Sequence, residues 1–381
     1  MREHKIWRLA IAVACLVGVS VLAACGGDDV GGGNNEDIQV AESGPVEGKL
    51  TISNWPGYID PGPNGTVAEF EKKTGVEVDY IDDFTGNTQF FGKLQPQLAE
   101  GNSGGRDIIV PSDWMAKKMY DLGYLQEVDH ADLQTVFDNI LPQFETAAGD
   151  PERKFMIPWQ GGLTGIWVDT AKAPEIDSIS DLFDPKYEGK VTMLDELRDT
   201  IPLVLQSEGI DVDTATKEDW LAAIDKIDKA VDSGQIRRLT DNSYTEDLTA
   251  GNAVASIGWS GDASLIGRDT VEWRKPTDGC DTFFDQMVIP VGAPNTAAAL
   301  AFMNFVYQPK VQADIAAYIN YVQPVAGVQE ILKKRDPKLG NDKLIFPPEE
   351  FTAGCSEDPD PPGDAEDVHE VEAAYQDVVS G

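Results

Sequence analysis

The feature that most constrains this chain is the stretch Leu50 to Asp60, which reads Leu-Thr-Ile-Ser-Asn-Trp-Pro-Gly-Tyr-Ile-Asp. Leu50 and Ile52 alternate with Thr51 and Ser53, as in a half-buried strand, and Pro56-Gly57 then breaks the chain beside Trp55 and Tyr58. A strand that stops in a turn hands its last side chains to the edge of a sheet. In open α/β sheets that edge, beyond the carboxyl ends of the strands, is where ligands sit. The competing reading is that Trp55 and Tyr58 are core residues of an ordinary strand-to-helix turn, since aromatics are usually interior.

The same grammar repeats downstream. Thr66 to Thr74 fits a helix with Val67 and Phe70, stopped by Gly75, and Val76 to Ile81 fits a second strand. Asn87 to Glu100 places Phe91, Leu94 and Leu98 on one helical face, Arg106 to Val110 is a short apolar strand, and Asp113 to Leu122 is helical again. Strands alternating with helices imply an α/β fold with largely parallel sheets flanked by helices. Two extended runs, Met156 to Val168 and Thr282 to Pro290, read as crossings between two lobes. They divide the chain into 49–163 with 284–328 as one lobe and 164–283 with 329–381 as the other. In the second lobe Lys217 to Ser233 is helical, and the apolar strand Ala253 to Trp259 again ends at an aromatic, followed by Ser260-Gly261.

The amino terminus reads as an address. Arg2, Lys5 and Arg8 precede the apolar run Leu9 to Val21, which is too short for a typical spanning helix and fits a secretory signal. It closes with Leu22-Ala23-Ala24-Cys25, which resembles the lipobox of bacterial lipoproteins. That resemblance implies cleavage after residue 24 and lipid attachment at Cys25, leaving the protein on the outer face of the cytoplasmic membrane. Residues 25–48, rich in Gly, Asp, Glu and Asn, read as a flexible tether. Cys15 leaves with the signal and Cys25 takes lipid, so Cys280 and Cys355 remain to form a disulfide in an oxidising compartment. No metal or other cofactor is expected, because His130 and His369 stand far in sequence from either remaining Cys.

Charge narrows the partners. Asp and Glu number 66 against 30 Lys and Arg, a net charge of −36. Such a surface repels nucleic acid and anionic lipid and concentrates cations. A solvated acidic coat that serves solubility or salt tolerance accounts for it equally well.

Three carboxylates stand out. Glu196 and Asp199, three apart at the start of a helix, project from one face and could grip a cation together. Helix capping and the macrodipole explain acidic residues there too. Asp285 enters the apolar run Phe283 to Pro290, where a carboxylate needs a partner. Arg268 or Arg274 could supply it structurally, and a ligand ammonium could supply it functionally. Trp55, Tyr58, Trp114, Trp259 and Phe283 all fall at strand ends or in the turns after them. Aromatics converging with carboxylates suit an alkyl chain with charged ends.

Here the chain resembles the spermidine/putrescine-binding proteins of bacterial ABC importers, over nearly all of Leu50 to Gly381. The recurring pieces are Asn54-Trp55-Pro56-Gly57-Tyr58, Asp107 to Val110 with Pro111-Ser112-Asp113-Trp114, Ile157-Pro158 with Gly165, Arg198 between Glu196 and Asp199, Trp259, Asp285 before Ile289-Pro290, and Tyr321. The resemblance implies a two-lobed, type II periplasmic-binding-protein fold that closes on a polyamine and delivers it to a membrane permease, as a monomer. It implies that Trp55, Tyr58, Trp114, Trp259 and Phe283 wall the ligand. Ser112 and Tyr321 would offer hydroxyls, and Glu196, Asp199 and Asp285 would bind the amines. Pro56-Gly57 stands where relatives often carry polar or acidic residues and Phe283 where a Trp is common, which leaves ligand length open. The alternatives are a binder of another organic cation or small solute, and an extracellular hydrolase. Gly258-Trp259-Ser260-Gly261-Asp262 is not a nucleophile elbow, and two His outside the signal give little choice of base.

Overall fold

The protein is described from a computed structural model covering residues 38–381 apart from 148. The signal and Cys25 lie outside the described residues. Ten strands run through the described residues: β1 (Lys49–Asn54), β2 (Glu77–Asp82), β3 (Ile108–Ile109), β4 (Ile157–Asp169), β5 (Val191–Leu194), β6 (Ile236–Thr240), β7 (Ala255–Trp259), β8 (Val271–Arg274), β9 (Asp281–Met287) and β10 (Ser356–Glu357).

They form two sheets. In the first, β1 sits between β2 and β3, all parallel. The chain beyond β9 extends it antiparallel, through pairings of Val288 with Ile109 and of Pro290 with Leu125. The alternation read from Leu50 onward is the reason. Leu50 and Ile52 are buried, and the helix Thr66–Thr74 lays Phe70 on the core and stops at Gly75, whose φ of 78° is the left-handed conformation that ends helices. Asn87–Leu98 buries Phe91, Leu94 and Leu98, the face its spacing anticipated.

The second sheet runs β10-β9-β4-β7-β5-β6, with β8 also paired to β4. β5 is parallel to β6 and β7, whereas β4 is antiparallel to β7, β8 and β9. The helix Lys217–Asp232 packs across this lobe under a capping box made by Thr216 and Asp219, and buries Trp220, Ile224 and Ile227. Strands β4 and β9 are the two predicted crossings, and they lie side by side. Every residue of β4 is buried, as a strand threaded between two bodies should be.

The structure revises the reading of the amino-terminal tether. Residues 38–48 are not all a free leash: Ala41 is buried, its N–H donates to the carbonyl of Glu127 at 2.7 Å, and Glu127 N–H donates to the carbonyl of Gln39 at 2.8 Å. A short piece of the predicted tether thus pairs, through one parallel bridge, with the extended chain at Glu127. The Pro- and acid-rich tail is held down by β10 on β9 and by the expected disulfide between Cys280 and Cys355. The helix Val328–Arg335 packs against Pro309–Ile319, so a lobe boundary at 328/329 would divide two packed helices.

Candidate functional site

The turn after β1 opens the site. Pro56 presets φ and Gly57 takes φ of 70°, so the chain reverses at once and Trp55 and Tyr58 both line the slot. Trp55 donates its indole N–H to the carbonyl of Val110 at 3.0 Å, which fixes its ring at the carboxyl end of the parallel strands. Its ring meets Trp259, from the end of β7, at 5.9 Å and 68°, and Trp259 lies 6.3 Å from Phe283. Tyr321 closes the row, 6.2 Å from Phe283 and 5.0 Å from Tyr58. Gly261 makes room for it, since a Cβ there would meet the Tyr321 ring at 2.1 Å.

Between these rings runs a narrow slot, partly open to solvent. Nine of the ten ligand residues expected from sequence line it: Trp55, Tyr58, Ser112, Glu196, Asp199, Trp259, Phe283, Asp285 and Tyr321.

The exception is Trp114. Opening the helix Asp113–Asp121, it stacks on the Arg198 guanidinium 3.7 Å from the ring centroid and faces a separate groove behind the crossing strands. Two residues beyond Ser112, in the first turn of the helix, its side chain projects away from the strand end, a direction the motif alone does not reveal.

The carboxylates explain themselves by what they bond. Asp285 accepts from Tyr58 Oη and Ser112 Oγ, each at 2.7 Å. Arg268 instead serves Asp169 and Arg274 serves Glu272, so neither proposed structural cation reaches Asp285. Glu196 occupies the N-cap position of the helix Leu197–Ser207 but makes no side-chain cap; its Oε1 accepts from the Asn87 N–H of the opposite lobe at 2.8 Å. Asp199 accepts from Thr164 Oγ1 and from Trp259 Nε1, the latter at 2.9 Å. Capping therefore does not account for this pair.

Burial with no cation bonded to the carboxylate makes ionisation costly. It pushes Asp285 up to about 7. Glu196 rises to about 8, through burial first and then repulsion from Asp195 and Asp199, offset in part by the Asn87 N–H and the nearby Arg198 charge. Asp199 rises to about 6 by burial, held back by its bonds from Thr164 and Trp259. Three half-neutral acids in an aromatic slot can receive amine hydrogens and exchange their protons for a cation.

Sequence reasoning missed Asn87, Asn242 and Asp262. Asn87 and Asn242 line the slot, and Asp262 accepts from Tyr321 Oη at 2.6 Å and from Asn242 Nδ2 at 3.2 Å. Burial raises Asp262 too. Each follows the carboxyl end of a parallel strand, so the rule that selected Trp55 and Trp259, applied to polar residues as well, would have found them. Among the described residues, no group of three or more His, Cys, Asp or Glu is placed to hold a metal ion.

Two α/β lobes joined by paired crossing strands, with an acid-and-aromatic slot between them, are the architecture of a type II periplasmic binding protein. The chain belongs to the bacterial extracellular solute-binding protein family, which it matches over residues 65–346. The putrescine-binding periplasmic protein PotF of Escherichia coli (strain K12) is 30% identical over 327 residues, 80% of this chain and 84% of that one. The spermidine/putrescine-binding periplasmic protein of the same organism is 27% identical over 305 residues, 78% of this chain and 83% of that one. Among solved structures, a putative spermidine/putrescine ABC transporter protein from Listeria monocytogenes superposes with a TM-score of 0.76 at 28% identity, covering 87% of this chain and 98% of that one. Among the described residues, no helix is long and apolar enough to cross a membrane.

Proposed function

We propose that this protein captures a polyamine, putrescine or spermidine, by closing its lobes and delivers it to the membrane permease of an ABC importer. One observation carries the ligand class: Glu196, Asp199 and Asp285 are buried around an aromatic slot, and all their hydrogen-bond partners are neutral donors. An anionic or neutral solute would leave these acids uncompensated. An alkyl diamine supplies an ammonium for each end, while Trp55, Trp259, Phe283 and Tyr321 cover its methylenes. Tyr58 and Ser112 hold Asp285 in orientation. The relatives' names, putrescine-binding and spermidine/putrescine-binding, support the same class.

Calorimetry with putrescine and spermidine on the wild type and on Asp285→Ala tests the reading. Saturable heat with at least one of them, lost in the variant, is the expected result; no heat with either defeats the assignment and leaves the fold untouched. The aromatic wall remains open to another organic cation, which competition against bound putrescine would reveal.

The rest of the reading concerns location and assembly. The protein is exported, carries lipid on Cys25 and works as a monomer on the outer face of the cytoplasmic membrane. Metabolic labelling with a fatty acid checks the anchor, because Cys25→Ala should abolish it. The Cys280 to Cys355 bond fits an oxidising compartment, and two thiols open to alkylation without reductant would argue against it. The lobes divide as 49–163 with 284–335 against 164–283 with 336–381, because Val328–Arg335 packs on Pro309–Ile319.

A further inference from the structure

Outside the slot, the two lobes make a second contact. From the first lobe, the helix Asp113–Asp121 contributes Trp114 and Lys118; from the second come Arg198, Asp360 of the tail and Glu372 of the helix Ala365–Ser380. Arg198 Nη2 bonds Asp360 Oδ1 at 2.8 Å and Glu372 Oε1 at 3.0 Å, and its flat face lies on Trp114. Lys118 Nζ stands 3.6 Å from the other Glu372 oxygen. Arg198 is 4% exposed although Asp360 is largely open to water.

We propose that Trp114 and Arg198 form a closure latch, a positioning pair that stabilises the closed lobes without touching the ligand. The inference rests on the solute-capture reading above. Three features support it. Trp114 and Arg198 come from opposite lobes, so lobe opening must separate them. The stacking needs a planar cation on an aromatic face, which Lys does not reproduce. Arg198 stands between the slot residues Glu196 and Asp199 in sequence, yet Asp360, Glu372 and Trp114 hold its charge outside the slot. The latch therefore keeps the Arg198 guanidinium from hydrogen-bonding the slot acids, while its charge still acts on Glu196 and Asp358, the other charges it faces.

A latch acts on the closed population, so it slows release more than it speeds capture. The test measures putrescine and spermidine association and dissociation for the wild type, Trp114→Ala, Trp114→Phe, Arg198→Lys and Asp360→Asn, the last at an exposed position where folding is not at issue. Trp114→Ala should speed dissociation of both ligands by the same factor, about five- to ten-fold, with association changed less than about two-fold. Trp114→Phe should restore most of the difference, Arg198→Lys should not, and Asp360→Asn should speed release about two-fold. An unchanged release rate for Trp114→Ala overturns the latch. Unequal factors for the two polyamines overturn it too, because they would place the ring against the ligand.

A separate readout stands if the wild type binds neither polyamine. A fluorophore pair, one on each lobe, reports the closed fraction directly. Trp114→Ala and added salt should both lower that fraction, since Lys118 and Glu372 are partly exposed; an unchanged distance distribution refutes the latch whatever the ligand is.

Discussion

Asp169 and Asp285 lie on the two crossing strands, one ending β4 and the other within β9, and both are buried, at 0% and 3% exposure. Their surroundings differ in one respect. Asp169 has Arg268 at 3.1 Å and Lys172 at 3.4 Å, an ion-pair cluster complete within the chain. Asp285 has two hydroxyls and no cation. The same residue type thus serves as structure where its counter-charge is built in and as a binding group where the counter-charge must arrive from outside. Nothing in the composition separates the two.

The largest effect that would break this comparison is on binding. Asp285→Asn should weaken polyamine affinity by about 100-fold or more, since it removes charge-assisted bonds of about 1.5–3 kcal/mol each. It should leave the melting temperature of the unliganded protein equal or higher, because a buried acid without a cation opposes folding. Calorimetry and thermal scans read the two arms; loss of stability together with loss of binding would show that Asp285 is structural after all.

The reciprocal substitution comes next. Asp169→Asn strands the Arg268 and Lys172 charges, both partly hydrated, and should cost about 1–3 kcal/mol of folding stability by denaturant titration. Its ligand affinity should stay within about two-fold of wild type. A large affinity change would dissolve the distinction between the two aspartates.

Third is the pH dependence. An ammonium ligand requires ionised partners, so binding expels the protons that Asp285, Glu196 and Asp199 retain with values of about 7, 8 and 6. Affinity should fall as pH drops from 8 to 6, on the order of ten-fold for a single group titrating near 7. Calorimetry in buffers of different ionisation enthalpy measures the released protons, and zero release sinks the idea. The stability of the unliganded protein follows the same raised values. Because these acids bind protons more tightly folded than unfolded, their stabilising contribution is full below the ordinary carboxyl range and is lost as pH rises through about 6 to 8.

The smallest effect sharpens the orientation argument. Tyr58→Phe removes one neutral donor from Asp285 and should weaken binding by only a few-fold, in line with about 0.5–1.5 kcal/mol for a single hydrogen bond.

Much of the site was legible in the chain, and the reason is local. A strand broken by Pro56-Gly57, or ended at Trp259 before Ser260-Gly261, places its last side chains at a sheet edge whatever the rest does. Trp114 failed because it lies in the first turn of a helix, where direction depends on the turn and not on the strand. Asn87, Asn242 and Asp262 obey the strand-end rule but carry no aromatic or isolated acidic signal in the sequence.

What the sequence determined by itself is the alternation of elements, the two crossings, the spare pair of cysteines and the strand ends where a ligand would sit. These follow from periodicity and chain stops, which act over a few residues. Only the tertiary structure decided which acid has a cation. Arg268 is nearer in sequence to Asp285 than to Asp169, yet it folds onto Asp169. Charge pairing depends on distances in space, and sequence separation does not set them.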